Sequence, residues 1–205
     1  MSVTVVVCRR ARPRRIAAAL RMMRRAAAGE LSPAAGRLGA AVFQGLDDPA
    51  EFLYLGVWTS RAALADYEAV IRSPAFEALF AGPPNRSFLQ TVRPAGRDLR
   101  RAAALAATIV EAPAAATASV LATLLAAGGA DGELRPGVID YAIYQDEDRP
   151  GRLLVVHGWL AAADLERVRR TEASIVESRL QTLGAQLTRF VARSQVVFEN
   201  PTGPA

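Results

Sequence analysis

Lysine is missing from this 205-residue sequence: all 25 basic side chains are arginine. Histidine and cysteine occur once each, as His157 and Cys8. A single cysteine excludes an internal disulfide, argues against a cysteine-cluster zinc site, and fits a reducing cytoplasm, the expected location. A single histidine leaves no ligand spacing from which a metal could be inferred, so no metal is expected. Long apolar runs are also missing. The alanine-rich stretch Ala102–Gly128 is broken by Glu111 and Pro113, so no membrane span is expected. The opening MSVTVVVC is too short an apolar run, with nothing basic before it, to read as a lipoprotein leader. There is no glycine-rich phosphate loop and no Ser-His-Asp arrangement. Arginine and alanine excess together are what GC-rich coding produces, so the net charge of +5 is weak support for an anionic partner. The arginine run from Arg9 to Arg15 lacks interleaved aromatics and reads as a solvated helix entrance, with no nucleic-acid partner expected.

What is present is a pattern stated twice. AVFQGLDDPAEFLYLGVW (Ala41–Trp58) and AIYQDEDRPGRLLVVHGW (Ala142–Trp159) both run aromatic-Gln, acidic turn with proline, hydrophobic strand, tryptophan, 101 residues apart. Around each copy the patterning predicts strand, helix, strand, strand, helix, strand. In the first copy the strands are Val3–Cys8, Gly39–Leu46, Glu51–Trp58 and Ser87–Val92. Pro13 opens the first helix, Gly29 closes it, Ser60 caps the second, and Ser73-Pro74 interrupts that second helix. In the second copy the strands are Ala106–Glu111, Val138–Gln145, Arg152–Trp159 and Gln186–Phe198, with helices Pro113–Ala127 and Ala161–Leu183. Residues 1–95 and 104–199 are thus expected to be two copies of one small domain, joined by a linker over 94–101. A four-stranded sheet with both helices on one face leaves its other face bare, and two copies can bury those faces against each other. The fold class is α+β: two tandem ferredoxin-like βαββαβ halves forming an intramolecular dimeric α+β barrel. The chain is then a monomer with an internal pseudo-dimer, for which homodimerisation is optional.

This order, with tryptophan ending the third strand and the run W58-TSRAALAD-Y67-EAVIR-S73-P74-A75-F76, resembles the antibiotic biosynthesis monooxygenase family. The likeness covers most of the first half and, more loosely, the second. The resemblance implies a monooxygenase acting on an aromatic polyketide or similar phenolic substrate, cofactor-independent or using reduced flavin, with molecular oxygen as co-substrate. It also implies a ligand cavity between the sheet face and the helices. The place usually held by histidine is Tyr67 here and Val168 in the second copy. The first strand lacks the asparagine of haem-degrading relatives, which argues against haem degradation. A polyketide cyclase, or a non-catalytic barrel binding a small ligand or a protein, remains the alternative; a barrel of that last kind would pack tightly around Tyr67 and His157.

Strand alternation puts Tyr54, Gly56 and Trp58 on one face, and Val155, His157 and Trp159 on the matching face of the second copy. Gly56 is expected to leave a void beside Trp58 for a planar ligand. His157 is a base or a buried structural histidine. Tyr67 points from its helix toward the sheet. Glu172 falls on the wheel face that should be buried, where a carboxylate needs a partner and becomes a usable base; Arg179 on the same stripe is that candidate partner. Catalytic candidates are therefore His157, Glu172 and Tyr67, and substrate-binding candidates Tyr54, Trp58, Trp159 and Arg179. Of the two halves, the second, with its histidine, is the expected working one.

Overall fold

β-branched and aromatic runs form strands here, and alanine-rich amphipathic runs form helices, in the expected order. In this computed structural model, residues 2–31, 35–93, 102–127, 138–171 and 175–199 are described. The first series is β1 (Val3–Arg10), α1 (Ile16–Ala28), β2 (Arg37–Gly45), β3 (Glu51–Trp58), α2 (Arg61–Ile71), α3 (Pro74–Glu77) and β4 (Asn85–Arg93). The second is β5 (Ala104–Glu111), α4 (Thr117–Ala127), β6 (Val138–Asp146), β7 (Arg152–Trp159), α5 (Ala162–Thr171), α6 (Ile175–Thr182) and β8 (Gln186–Glu199). The hydrogen-bonded strand order β1-β3-β2-β8-β5-β7-β6-β4 closes on itself as a barrel, so the α+β class and the tandem ferredoxin-like order both hold. No described helix is long and apolar enough to cross a membrane.

The repeat is reproduced at the level of individual hydrogen bonds. β1 pairs β3 from Val3↔Trp58 to Arg10↔Glu51, and β5 pairs β7 from Ala104↔Trp159 to Glu111↔Arg152. The bulge after Arg37 in β2 returns after Val138 in β6. The twice-stated Gln and Pro have one mechanical role. Gln44 Nε2 donates to the Pro49 carbonyl at 2.7 Å, and Gln145 Nε2 to the Pro150 carbonyl at 2.7 Å, each stapling its hairpin turn. The cross-strand ion pair Arg10–Glu51 (3.1 Å) has its counterpart in Glu111–Arg152 (3.1 Å) with the charges exchanged.

Contacts divide the chain into two units: residues up to Phe88 with those from Ala192 onward, and Leu89–Val191. β4 and β8 each run from one unit into the other. The first unit's core is built on α1, whose Ala19, Met23, Ala26 and Ala27 are buried against Ala40, Val42 and Phe52 of the sheet. The short side chains let α1 lie close to the sheet. The helix ends where Gly29 turns left-handed at φ 80°. Ser60 accepts from the Ala63 N–H at 3.1 Å as the expected cap of α2. Ser73-Pro74 ends that helix, and α3 restarts at Pro74 with Ser73 capping it. The second unit's core joins Val120 and Leu124 of α4 to Ile143, Leu153 and Val155 of the sheet and to Leu180 of α6.

Helix is described over Ala162–Thr171 and Ile175–Thr182, inside the expected span Ala161–Leu183, and residues 172–174 lie outside the described residues. One expectation needs correction. The arginine run is not all solvated. Arg9 is 7% exposed, because the end of β1 tucks its guanidinium over the Phe80 ring at 4.0 Å and onto Glu77, with hydrogen bonds of 3.0 and 2.5 Å. Arg12, Arg14 and Arg15 are exposed.

Candidate functional site

Each unit holds a cavity, and the two occupy equivalent places in the fold. In the second unit, β5 contributes Ala106, Thr108 and Val110, and β7 contributes Val155, His157 and Trp159, to the wall of a cavity of about 160 Å3. Leu124 of α4, Leu165 of α5 and Leu180 of α6 line its helix side. In the first unit, Val7 and Arg9 of β1, Met23 of α1, Tyr54 of β3, Leu64 of α2 and Phe76 of α3 stand at the matching positions, around a cavity of about 60 Å3. The difference lies in the side chains: where the first unit has Arg9, Tyr54 and Phe76, the second has Val110, Val155 and Glu177.

In the second unit the alternation of β7 places Val155, His157 and Trp159 together on the cavity face. The imidazole of His157 packs on the Tyr141 ring at 4.6 Å between centroids. Tyr141 donates its hydroxyl to the Leu124 carbonyl at 2.9 Å. Burial pushes its pKa up to about 12, against the opposing pull of the Arg93 guanidinium, so it stays protonated. Trp159 is 3% exposed, and its indole N–H is buried with no hydrogen-bond partner among the described residues. A buried donor left in that state costs about 1–3 kcal/mol unless something else accepts from it. Glu177 and Arg189 form an ion pair at the partly exposed side of the same cavity.

In the first unit Trp58 is fully buried and does not line the cavity. Tyr67, 5% exposed, stacks on it at 5.1 Å and donates its hydroxyl to the Ala26 carbonyl. The buried guanidinium of Arg37 donates to that same carbonyl at 2.8 Å. Burial raises the pKa of Tyr67, and more strongly that of Tyr54, with Arg37 opposing in both cases. Gly56 leaves no void: a Cβ placed on it would meet Cε1, Cζ and OH of Tyr54 at 2.5–2.8 Å, so the Tyr54 ring lies across it. The Tyr54 hydroxyl is buried with no hydrogen-bond partner among the described residues.

The structure thus gathers His157 and Trp159 in one cavity and Tyr54 and Tyr67 in the other. Tyr67 borders the smaller cavity and His157 the larger one. Arg179 is exposed and does not line the cavity, because α6 turns Val176, Glu177 and Leu180 inward and leaves Arg179 off that face. Glu172 lies outside the described residues. The Glu177–Arg189 pair and the anchored Tyr141 were not anticipated. Strand alternation from Val155 and His157 gives no hint of Tyr141, which comes from the neighbouring strand. Glu177 could have been found by carrying the 101-residue offset on past Ser73-Pro74, since it stands at the place of Phe76. Among the described residues no group of three His, Cys, Asp or Glu is placed to hold a metal.

Comparison with known proteins agrees with this geometry. Residues 2–81 match the family described as antibiotic biosynthesis monooxygenase. No curated protein matches the sequence. Among solved structures, an anthrone oxidase-like protein superposes with a TM-score of 0.75 at 11% identity, over 97% of this chain and 93% of that one. A candidate monooxygenase from Fusobacterium nucleatum subsp. nucleatum superposes with a TM-score of 0.68 at 11% identity, over 99% of this chain and 96% of that one. A haem-binding protein from Thermus thermophilus superposes at 0.53 and 12% identity, over 96% and 93%. At such identities the likeness establishes the fold alone, and the fold serves proteins of differing chemistry.

Proposed function

We propose that this chain, whose residues 2–81 match the antibiotic biosynthesis monooxygenase family, is a monooxygenase working in its second-unit cavity on an aromatic polyketide or similar phenol. The family match supports a monooxygenase-like role in general terms. The finer reading rests on one observation: a ring-sized apolar cavity with an imidazole in its wall and a buried indole N–H that has no protein acceptor among the described residues.

The size is informative. An apolar cavity of about 150 Å3 takes up benzene, so a space of about 160 Å3 holds one hydroxylated ring. A larger polyketide projects its remaining rings past Glu177 and Arg189. The Trp159 N–H donates to the ring oxygen, and His157 takes the proton of the phenol or enol. The apolar wall of Val110, Val155 and Leu180 keeps water from the resulting electron-rich anion. Tyr54, Tyr67 and Tyr141 are held protonated by burial, which leaves His157 as the base best placed in the cavity wall. Molecular oxygen then adds to ring carbon. One oxygen atom stays in the product quinone, the other leaves as water, and all four electrons come from the substrate. The balance needs no added reductant.

Incubation of the pure protein with an anthrone and, separately, with a single-ring phenol under oxygen tests this. One quinone per oxygen consumed, with or without reduced flavin, is the expected result. Binding without oxygen uptake would instead mean a ligand-binding barrel, and ring closure without oxygen a cyclase.

A further inference from the structure

We infer that the first unit carries the same ligand site in self-occupied form, with the phenol side chain of Tyr54 as its resident ring, so that the chain takes one aromatic ligand and not two. The inference rests on the reading of the second-unit cavity as a phenol site. Its own support comes from the first unit.

Gly56 and His157 are equivalent by strand register: Gly56 pairs with Val5, and His157 with Ala106, 101 residues on. The space above Gly56 is filled by atoms of Tyr54 from the ring edge to the hydroxyl. In the second unit the corresponding residue is Val155, too short to reach over its neighbour, and the cavity is open. The exchange is reciprocal: a long side chain over none in the first unit, a short one beside an imidazole in the second. The occupied place also has the features a phenol would use. It adjoins the remaining 60 Å3 of open space that Tyr54 itself lines, and Trp58 ends the strand as Trp159 does. The Tyr54 hydroxyl is buried and lies within electrostatic reach of the Trp58 indole and the Arg37 guanidinium.

Tyr54→Ala removes a phenol from a space that has just held one, so the vacated place is expected to accept phenol back. The test uses crystals of the full chain soaked in 4-bromophenol, with bromine located by anomalous scattering. The wild type is expected to show one site per chain, in the second unit. Tyr54→Ala is expected to show a second site, beside Gly56. Tyr54→Phe, which keeps the ring, is expected to stay at one. A Tyr54→Ala protein that gains no site beside Gly56 overturns the inference while leaving the second-unit reading intact. A wild type with no site, and Tyr54→Ala with one beside Gly56, overturns the second-unit reading and with it the count of one ligand per chain, and supports only the claim that Tyr54 fills a ring site in the first unit. A wild type already showing a site beside Gly56 with Tyr54 in place overturns the inference.

Should Tyr54→Ala fail to fold, Gly56→Ala gives an independent reading. Its added methyl meets the Tyr54 ring, so it is expected to lower Tm by several degrees in the wild type and by much less in a Tyr54→Val background, where the ring is gone. Equal losses in the two backgrounds would show that the ring does not lie where the inference needs it.

Discussion

The two halves share their hairpin staples, bulges and strand register, yet their cavities differ from about 60 to about 160 Å3. The backbone repeat was kept while the side chains facing the helices changed. The first half spends its interior on packing: Arg9 spans Phe80 and Glu77, Tyr67 and Arg37 converge on the Ala26 carbonyl, and Tyr54 covers Gly56. The second half has Val110 and Val155 at two of those positions and keeps the space. One duplicated scaffold thus holds a closed copy and an open one. In physical terms the closed copy gains buried contact area, and the open copy gives up that stabilisation for room to bind.

The comparison can be broken most directly through His157. Replacing it with alanine is expected to lower kcat/KM for phenol oxidation by about 10²-fold or more, measured as oxygen uptake. Unchanged turnover would move the working site out of the second cavity.

A smaller effect is expected from Arg9→Met, which removes the charged hydrogen bonds to Glu77 and should cost about 2 kcal/mol in denaturant unfolding. The same pair makes a pH prediction. The Arg9 hydrogen bonds hold the Glu77 carboxyl below its ordinary range, with Arg72 adding to the effect. Because the folded pKa is depressed, this stabilisation is complete above the unfolded carboxylate's value of roughly 4.3 and is lost as pH falls through the lower folded value. Arg9→Met should flatten that acid-side loss of Tm. An identical acid limb in the variant would assign the acid sensitivity elsewhere.

Tyr67→Phe and Tyr141→Phe each remove one buried hydroxyl bond to the carbonyl near the end of the first helix of their half, and each is expected to cost about 1 kcal/mol. Unequal losses would mean that the two anchors, though they serve equivalent helices, are not equivalent in strength. The smallest effect belongs to the exchanged ion pairs. Arg10→Glu sets like charges across the strands and should destabilise by about 0.2–1 kcal/mol. Arg10→Glu with Glu51→Arg reproduces the charge order of Glu111–Arg152 and should recover the loss. Failure to recover would show that the Arg10–Asp48 contact at 2.5 Å, and not the cross-strand pair, carries the effect.

Much of the fold was legible because its signals are short-range. Glu51–Trp58 and Arg152–Trp159 were readable to the residue from alternation bounded by acidic turns, and Ser60 from the hydroxyl that precedes an apolar-periodic run. The facing of Val155, His157 and Trp159 followed from the two-residue period of a strand. The misreadings concern side-chain conformation and contacts between elements distant in sequence. Gly56 looked like a gap because its missing side chain is visible in sequence, whereas the rotamer of Tyr54 that fills the gap is not. Arg9 looked solvated among its arginine neighbours because Phe76, Glu77 and Phe80, which cover it, lie 67 to 71 residues away. Arg179 looked inward because the helical wheel set it on the stripe of Leu165 and Glu172, whereas Val176, Glu177 and Leu180 are the α6 side chains that line the cavity.

The sequence by itself determined the duplication, the strand and helix order, the hairpin turns and the inward parity of the two tryptophan strands. All of these rest on local periodicity and on a repeat that can be aligned residue by residue. Only the tertiary structure decided which copy is open. Cavity volume depends on how side chains from a strand and from helices far along the chain share one space, and a change of rotamer at a single tyrosine can fill a site that the local pattern leaves empty.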